Sequence, residues 1–352
     1  MTATKGYAVI APGEAIEPFS FVRNTAGEQD IIIEILYCGV CHYDIHQARN
    51  EYSNTHYPFV PGHEIVGRVV KAGSEVTRFK TGDLAGVGYF IDSCGHCQPC
   101  RSGLEQHCEV GLTPTQNGTD KHGKPTYGGY SNNIIAHENY AVKIPETLPL
   151  PGVAPLLCAG ITAYSALRQW GIGKRHEVAV LGLGGVGHLA VKLAASMGAK
   201  VTVLSGSSSK KEDAGSLGAS GFILTSDAEQ LKAAASSFDF IIDTAAAKHD
   251  YNRYLQLLKF EGTMILLGVP PETSDLVAYH LISGRRRITG SFIGGMNETQ
   301  EMINYCAANG ITADVEVMTP DKIEEAFDRT VSGTVKYRFV LDMQATRNEE
   351  QP

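Results

Sequence analysis

The chain of 352 residues lacks any apolar run that approaches the roughly 18 residues needed to cross a membrane. Residues 1–13 lack a basic start followed by an apolar stretch, so we expect no signal peptide and a cytoplasmic location. Excess positive charge is also missing, because the net charge is −8 and the basic run at 285–287 is too short to form a binding face. We therefore expect neither a membrane nor a nucleic acid as partner.

The hydrophobic pattern divides the chain into two regions of different character. Length alone favours two domains, at about 150 residues per domain. Short β-rich runs at 31–37, 65–71 and 83–87 predict an irregular β domain. Beyond residue 155, apolar strands at 178–181, 201–205, 221–224, 240–243 and 263–269 alternate with helices near 188–197, 229–236 and 251–259, which predicts a doubly wound parallel sheet. A last strand at 335–342 is expected to rejoin the β domain.

Four of the eight cysteines lie within fifteen residues, as Cys94, Cys97, Cys100 and Cys108. On a loop with Gly and Pro, this spacing allows four thiolates to converge on one tetrahedral ion, about 2.3 Å from zinc. A disulfide pair is the alternative, although nothing else in the chain indicates an oxidising compartment. The sequence thus predicts a closed structural zinc site without a role in chemistry.

The first strand of the alternating region leads into a glycine-rich turn, Gly182-Leu-Gly184-Gly185-Val186-Gly187. Its place between a strand and a helix is the context that a dinucleotide-binding motif requires. Glycines allow the tight turn and let the backbone approach a pyrophosphate at the helix N-terminus. We expect a bound dinucleotide.

The end of the next strand indicates which dinucleotide binds. An acid there would bind the ribose hydroxyls of NAD, but this chain has Ser205, followed by Ser207, Ser208 and Lys210. Hydroxyls and a lysine can bond and neutralise a 2′-phosphate, so the pattern favours NADP(H). The alternative is a solvated serine-rich turn beside NAD.

One motif connects the remaining cysteines to a known family. The segment Gly62-His63-Glu64-x-x-Gly67 resembles the signature of the zinc-containing medium-chain alcohol dehydrogenases. Within that superfamily the chain, including Cys158-Ala-Gly-Ile-Thr162, is most similar to the cinnamyl alcohol dehydrogenase group of NADP-dependent aldehyde reductases. The resemblance implies an α/β protein: a β-rich GroES-like catalytic domain (1–152 and 292–352) and a Rossmann NADP-binding domain with a doubly wound parallel sheet (153–291).

The resemblance also implies a catalytic zinc, the second ion of the chain, held by Cys41, His63 and Cys158. A fourth position would take water or the substrate oxygen, so that the ion can polarise a carbonyl. Asp44 matches the carboxylate that orients the histidine ligand, and Glu64 is expected to enter the zinc shell transiently. Either acid could instead bond backbone amides.

The expected proton path departs from the family pattern at Tyr43. The family carries Ser or Thr there, whose hydroxyl connects the zinc-bound oxygen to the cofactor ribose and then to a histidine matching His46. A phenol differs in bulk and has an ordinary pKa near 10. Tyr43 can donate directly, swing away and leave a water to complete the path, or narrow the site; we favour direct donation.

Other positions follow from the same resemblance. Those expected near the cofactor are His42 and Arg338 at the pyrophosphate, Thr162, Val269 and Phe292 around the nicotinamide, and Ser291 beside them. The alternative for His42 is a surface histidine, and the alternative for Val269 and Phe292 is ordinary core. Tyr89 and Ile293 are expected at the substrate, and the family suggests a homodimer.

These observations predict a reversible reductase of aromatic or medium-length apolar aldehydes, with the alcohol as product. Because Tyr43 is unusual, reduction of imines, iminium ions or conjugated double bonds is an alternative. A nonenzymatic protein that binds zinc and nucleotide is a second alternative.

Overall fold

The computed structural model describes residues 2–270 and 272–345. Contacts divide the chain into two units, Met1–Ile161 with Gly294–Pro352, and Thr162–Ile293. The boundaries expected from the sequence, after residue 152 and before residue 292, stay a prediction, and residues 346–352 of the expected catalytic domain lie outside the described residues.

The strands follow one another along the whole described chain. In chain order they are β1 (Thr2–Val9), β2 (Ile16–Arg23), β3 (Asp30–Gly39), β4 (Ile65–Ala72), β5 (Leu84–Val87), β6 (Phe90–Ser93), β7 (Leu112–Pro114), β8 (Asn133–His137), β9 (Val142–Lys143), β10 (Glu177–Leu181), β11 (Lys200–Ser205), β12 (Gly221–Leu224), β13 (Phe238–Asp243), β14 (Leu258–Leu266), β15 (Arg287–Gly290), β16 (Val315–Met318) and β17 (Arg338–Asp342).

The helices of the described residues range from four to fourteen residues in length. They are α1 (His42–Ala48), α2 (Gln98–Arg101), α3 (Leu150–Val153), α4 (Ala159–Gln169), α5 (Gly187–Ser196), α6 (Lys211–Ser216), α7 (Ala228–Ala233), α8 (Tyr251–Leu255), α9 (Tyr279–Ile282), α10 (Met296–Asn309) and α11 (Ile323–Val331). Single 3-10 turns cover Glu105–His107, Glu138–Tyr140, Ala154–Leu157, Ser208–Lys210 and Pro320–Lys322.

The first unit is built on a mainly antiparallel sheet with the order β16-β17-β3-β4-β5-β9, and β8 also pairs with β3. Alternation explains the central strand, because Ile31, Ile33 and Ile35 point to one face and are fully buried. β17 pairs antiparallel with β3, which confirms that the last predicted strand rejoins this sheet. The sheet supports the loops from which the metal-binding side chains project.

The second unit contains a parallel sheet with the order β12-β11-β10-β13-β14-β15. Counted within the unit this is the strand order 3-2-1-4-5-6 of the Rossmann fold, in which ligands bind where the order reverses. The reversal lies between β10 and β13, and the glycine-rich turn follows β10 directly. The predicted fold class is therefore confirmed.

Several predicted elements differ in extent: the helix over 229–236 ends at Ala233, and the strand over 263–269 runs from Leu258 to Leu266. We expected a helix over 251–259, but α8 ends at Leu255 and Leu258 already begins β14. Leu258 pairs with Phe238 and is buried, so pairing with β13 decides the local structure. The apolar spacing of this segment fits a helix and a buried strand equally well.

Among residues 2–270 and 272–345, no single helix is both long and apolar enough to cross a membrane. Two consecutive helical segments, Leu150–Leu157 and Ala159–Gln169, are long and apolar enough when they are joined, but they meet at a bend of 57°. Val153, Leu156, Ala163 and Leu167 of this pair are fully buried in the fold.

Candidate metal and cofactor sites

The first cluster of metal-binding side chains is the cysteine lobe. The sulfur atoms of Cys94, Cys97, Cys100 and Cys108 all lie within 4.8 Å of one another. The Cys94 and Cys100 sulfurs are 3.9 Å apart, far beyond the roughly 2.05 Å of a disulfide, and all four thiols are free. Four sulfurs at this separation fit one tetrahedral zinc ion, and the disulfide alternative finds no support.

Backbone amides around this lobe favour thiolates. The amide of Cys94 donates to the Cys108 sulfur at 3.4 Å, and the amide of Cys97 donates to the Cys94 sulfur at 3.3 Å. Burial alone would raise the pKa of Cys108, but the amides of Cys94, Val110 and Gly111 lower it to about 6. Cys108 therefore presents its sulfur in the form that binds zinc, whereas burial raises the pKa of Cys100 to about 12.

The second cluster contains the three ligands expected from the family, together with Glu64. Cys41 precedes α1, His63 and Glu64 lead into β4, and Cys158 follows the turn Ala154–Leu157. Their ligand atoms all lie within 4.8 Å of one another, and His63 Nε2 is 3.3 Å from the Cys158 sulfur. Two thiols and an imidazole facing one point fit a zinc site with an open position.

Asp44 determines which nitrogen of His63 faces this cluster. Its buried carboxylate accepts from His63 Nδ1 at 2.8 Å and from Gln116 Nε2 at 2.7 Å. It also accepts from the Cys41 amide at 2.8 Å, closing a capping box at the start of α1, and from the Tyr130 hydroxyl at 3.3 Å. With Nδ1 donating, Nε2 is left to bind a metal.

The protonation of His63 is coupled to metal binding. Burial alone would lower the pKa of His63, but the charge and hydrogen bond of Asp44 more than offset it and raise the pKa well above its ordinary value. An ion that binds at Nε2 therefore has to displace a proton, and its affinity falls at low pH.

Glu64 and Arg338 form a buried pair beside the cluster. Arg338 Nη2 donates to Glu64 Oε1, whereas Glu64 Oε2 is buried without a hydrogen-bond partner. Burial raises the pKa of Glu64 to about 7, although the charge of Arg338 opposes this shift. A buried carboxylate oxygen without a partner is suited to approach a metal ion. Arg338 lies against Glu64, and its expected role at a pyrophosphate stays a prediction.

Tyr43 lies next to the second cluster. Its ring is 5.7 Å from the His63 ring and 5.5 Å from the Tyr89 ring. Its hydroxyl oxygen accepts hydrogen bonds from Gln47 Nε2 at 3.0 Å and from the Tyr89 hydroxyl at 3.3 Å. Burial and the neighbouring Tyr43 raise the pKa of Tyr89 well above its ordinary value, so Tyr89 is a neutral wall of the site.

The two predicted histidines of α1 lie side by side near this site, with their rings tilted by 35°. The His42 and His46 rings are 4.8 Å apart, and burial together with the charge of His46 lowers the pKa of His42. His46 Nδ1 pairs with Glu51 at 2.5 Å, while its ring lies 5.3 Å from Tyr52. His46 is thus anchored by the carboxylate of Glu51, which no motif in the sequence indicated.

The glycine-rich turn in the second unit has the geometry of a phosphate cradle. Gly182 has φ +92°, and a Cβ on Gly187 would lie 2.2 Å from the Gly182 carbonyl oxygen, so neither position accepts a larger residue. A Cβ on Gly184 would meet no atom within 4 Å, which leaves that side of the turn open to a ligand. Gly185 and Val186 complete the turn, and α5 begins at Gly187.

The serine-rich segment after β11 has no acid at the strand end. Ser205 is buried at that end, and the exposed Ser207 and Ser208 follow it. Lys210 Nζ donates to the Leu183 carbonyl at 3.0 Å, which brings a positive charge next to the glycine-rich turn. These groups fit a dinucleotide with an additional phosphate on its ribose.

The residues expected around the nicotinamide occupy separate elements. Thr162 lies in α4, Val269 follows β14, and Ser291 and Phe292 follow β15. Val269 is 72% exposed and Phe292 is 45% exposed, so the alternative that they are core residues is wrong. Ile293, which follows Phe292 in the chain, is buried.

Two glutamines of the site were not predicted from the sequence. Gln47 lies four residues after Tyr43 on α1, and that spacing places both side chains on one helix face, a signal that the sequence contained. Gln116 contacts Asp44 from a loop 72 residues away, and no spacing rule could have found it.

The β unit with two cysteine-containing clusters and the Rossmann unit define a zinc-dependent dehydrogenase. Residues 27–146 match the alcohol dehydrogenase GroES-like domain, and residues 185–308 match the zinc-binding dehydrogenase domain. This chain belongs to the zinc-containing alcohol dehydrogenase family, and it is an enzyme.

Named relatives cover nearly the whole chain. NADP-dependent alcohol dehydrogenase C 1 from Mycolicibacterium smegmatis is 47% identical, over 99% of this chain and 100% of its own length. Aldehyde reductase YahK from Escherichia coli is 47% identical, over 96% of this chain and 97% of its own. The structure of a cinnamyl alcohol dehydrogenase from Sorghum bicolor matches with a TM-score of 0.95 and 43% identity, over 97% of this chain and 98% of its own.

Proposed function

We propose that the chain catalyses the reversible reduction of aldehydes to primary alcohols with NADPH. The observation that carries this proposal is the convergence of Cys41, His63 and Cys158, with His63 oriented by Asp44. The dinucleotide preference is supported by Ser205, Ser207, Ser208 and Lys210 beside an open glycine-rich turn. The names of the relatives point the same way.

The residues divide into two metal sites. Cys41, His63 and Cys158 would hold the catalytic zinc, and the cysteine lobe would hold a structural one. When bound, zinc supplies a Lewis acid for the carbonyl oxygen and NADPH supplies the hydride. We assign the expected catalytic domain (1–152 and 292–352) to the metals and the expected Rossmann domain (153–291) to the cofactor.

The chain itself supplies the proton. Reduction leaves a negative charge on the former carbonyl oxygen, and Tyr43 is the acid that lies beside the metal cluster. His46, paired with Glu51, is the candidate to restore the proton, and Glu64 is the candidate for transient approach to the metal. His42, Thr162, Val269, Ser291, Phe292 and Arg338 remain the proposed cofactor contacts.

The substrate class follows from the walls of the site. Three tyrosine rings group near His63. The centre of the Tyr43 ring lies 5.7 Å from that of His63, 5.5 Å from that of Tyr89 and 6.0 Å from that of Tyr52. The Tyr52 ring also lies 5.3 Å from the His46 ring. Such a surface favours aromatic or medium-length apolar aldehydes. Ile293 is a further proposed contact.

A second candidate function rests on Tyr43. Since a phenol replaces the short hydroxyl typical of the family, the site could instead reduce imines, iminium ions or conjugated double bonds. A panel of aromatic aldehydes, imines and enals, assayed with NADPH and with NADH, separates the two functions. We expect aldehyde-dependent oxidation of NADPH with alcohol as product. Activity on the imines alone would support the alternative.

The role of Tyr43 has its own test within that panel. We expect Tyr43→Phe to slow aldehyde reduction and to change its pH profile, because the variant keeps the ring but loses the acid. Tyr43→Thr restores the family hydroxyl and should recover part of the rate. An unchanged rate and pH profile in Tyr43→Phe would exclude direct donation.

We also propose a cytoplasmic homodimer. β15 is the edge of the parallel sheet, and apolar side chains are exposed just before it, including Val277, Tyr279 and Ile282. An edge strand flanked by apolar surface is suited to pair with a second copy. Sedimentation of wild type and Thr289→Pro tests this; a monomeric wild type contradicts it.

A further inference from the structure

Gln47 is a buried polar residue to which the proposed reaction assigns no role. Its side chain is 1% exposed, one helical turn after Tyr43. Its Nε2 atom donates to the Tyr43 hydroxyl oxygen at 3.0 Å. A buried glutamine aimed at the proposed proton donor calls for a physical reason.

The orientation of the Gln47 amide is determined by a backbone group. The amide N–H of His56 donates to Asn117 Oδ1 at 2.8 Å. Because a backbone N–H can only donate, Asn117 must turn its Nδ2 the other way, and that atom donates to Gln47 Oε1 at 2.9 Å. Thr55 Oγ1 also lies 2.8 Å from Gln47 Oε1. Gln47 therefore presents its nitrogen, and not its oxygen, to Tyr43.

This polarity determines what the Tyr43 hydroxyl can do. A phenol accepts hydrogen bonds through its oxygen and donates through one proton. The Tyr43 oxygen accepts from Gln47, and the Tyr89 hydroxyl donates to it from the other neighbour at 3.3 Å. Gln47 cannot accept the Tyr43 proton, so that proton remains available to a substrate.

We propose that Gln47 is a positioning residue for proton donation by Tyr43, an inference that rests on the proposed function. During reduction the O–H bond of Tyr43 breaks, the proton passes to the former carbonyl oxygen, and the electron pair stays on the Tyr43 oxygen. The hydrogen bond from Gln47 strengthens as that oxygen becomes negative. The proton returns to Tyr43 through His46, the residue proposed above for this step, before the next turnover.

An interaction that strengthens only as the reaction proceeds affects kcat more than KM. Gln47→Glu keeps the shape of the side chain but replaces the donor by an acceptor that can capture the Tyr43 proton. We expect kcat for aldehyde reduction to fall by roughly 10- to 100-fold, the range of one hydrogen bond to a charged group. The KM for the aldehyde should change less than about threefold, and the solvent deuterium isotope effect on kcat should rise.

Gln47→Met removes the donor without adding an acceptor, so its kcat should lie between wild type and Gln47→Glu. The fold tolerates this change, because Thr55 Oγ1 also reaches the Gln47 carbonyl and Asn117 Nδ2 also reaches the Asn54 carbonyl. Gln256→Glu is the control, because it adds the same charge at the exposed residue that follows α8. It should behave as wild type.

The decisive comparison repeats both substitutions in Tyr43→Phe. If Gln47 acts through Tyr43, the substitutions should cause no further loss of kcat there, and the shifts in urea midpoint for Gln47→Met and Tyr43→Phe should not add. Equal losses of kcat in both backgrounds would overturn the inference and leave the proposed function intact. If Tyr43→Phe alone is fully active, direct donation by Tyr43 fails, and the inference fails with it.

Discussion

Replacing Asp44 by Asn tests whether a carboxylate at this position holds the metal cluster together. Asp44 is fully buried and accepts four hydrogen bonds, two at each oxygen. Asn keeps the shape but presents an NH2 group to two of those donors. At about 1–3 kcal/mol for each buried donor without an acceptor, we expect the free energy of unfolding to fall by roughly 2–6 kcal/mol.

The same substitution should weaken metal binding, because His63 loses its anionic partner. The expected loss of zinc affinity is about 10- to 100-fold, as for other residues that orient a ligand. The assay is competition for zinc with a chelator, combined with urea unfolding of the zinc-loaded protein. The cysteine lobe should retain its ion, so the loss is about one zinc of two per chain.

Asp243→Asn provides a matched control for this experiment. Asp243 is a buried carboxylate that accepts from His249 Nε2 at 2.8 Å, and within residues 2–270 and 272–345 it belongs to neither metal-binding cluster. Asp243→Asn should lower the free energy of unfolding and leave the zinc affinity unchanged. Our account of Asp44 is refuted if Asp44→Asn and Asp243→Asn retain zinc equally well.

Two further predictions concern the Rossmann unit. Ser205→Asp should raise the KM for NADPH roughly 10- to 100-fold and lower the KM for NADH, because a carboxylate repels a 2′-phosphate; unchanged preference in steady-state assays would argue against this site. The hydrogen bond to Asp243 raises the pKa of His249 although burial opposes it, so the pair stabilises the fold below pH 6.5 and loses this as pH rises through the folded pKa. His249→Gln should therefore destabilise more at pH 5.5 than at pH 9 in urea unfolding, and an equal loss at both pH values contradicts it.

Local pattern was sufficient to predict most of the fold. The cysteine spacing from Cys94 to Cys108 and the turn from Gly182 to Gly187 lie within single loops, so sequence distance and spatial distance agree there. The alternation of Ile31, Ile33 and Ile35 likewise predicts a buried sheet face. The segment after Tyr251 differed in type, because strand pairing by Leu258 overrides its helical spacing, and the predicted ends at residues 236 and 269 extend past α7 and β14.

The candidate site was less accessible to sequence reasoning. Cys41, His63 and Cys158 are far apart in the chain, and only the family resemblance connected them before the fold placed them together. The hydrogen bonds of Gln116 to Asp44 and of Asn117 to Gln47 depend on loop conformation, which no residue pattern encodes. The contact between Tyr43 and Gln47, in contrast, could be predicted, because residues four apart lie on one face of a helix.

One metal cluster is proposed to carry the reaction, and the other to support the fold. The most direct measurement is the zinc content and NADPH-dependent aldehyde reduction of Cys158→Ser beside wild type. We predict about two zinc ions per chain in wild type, and about one in an otherwise folded Cys158→Ser that reduces no aldehyde. A Cys158→Ser protein that retains full activity with one zinc would contradict the account.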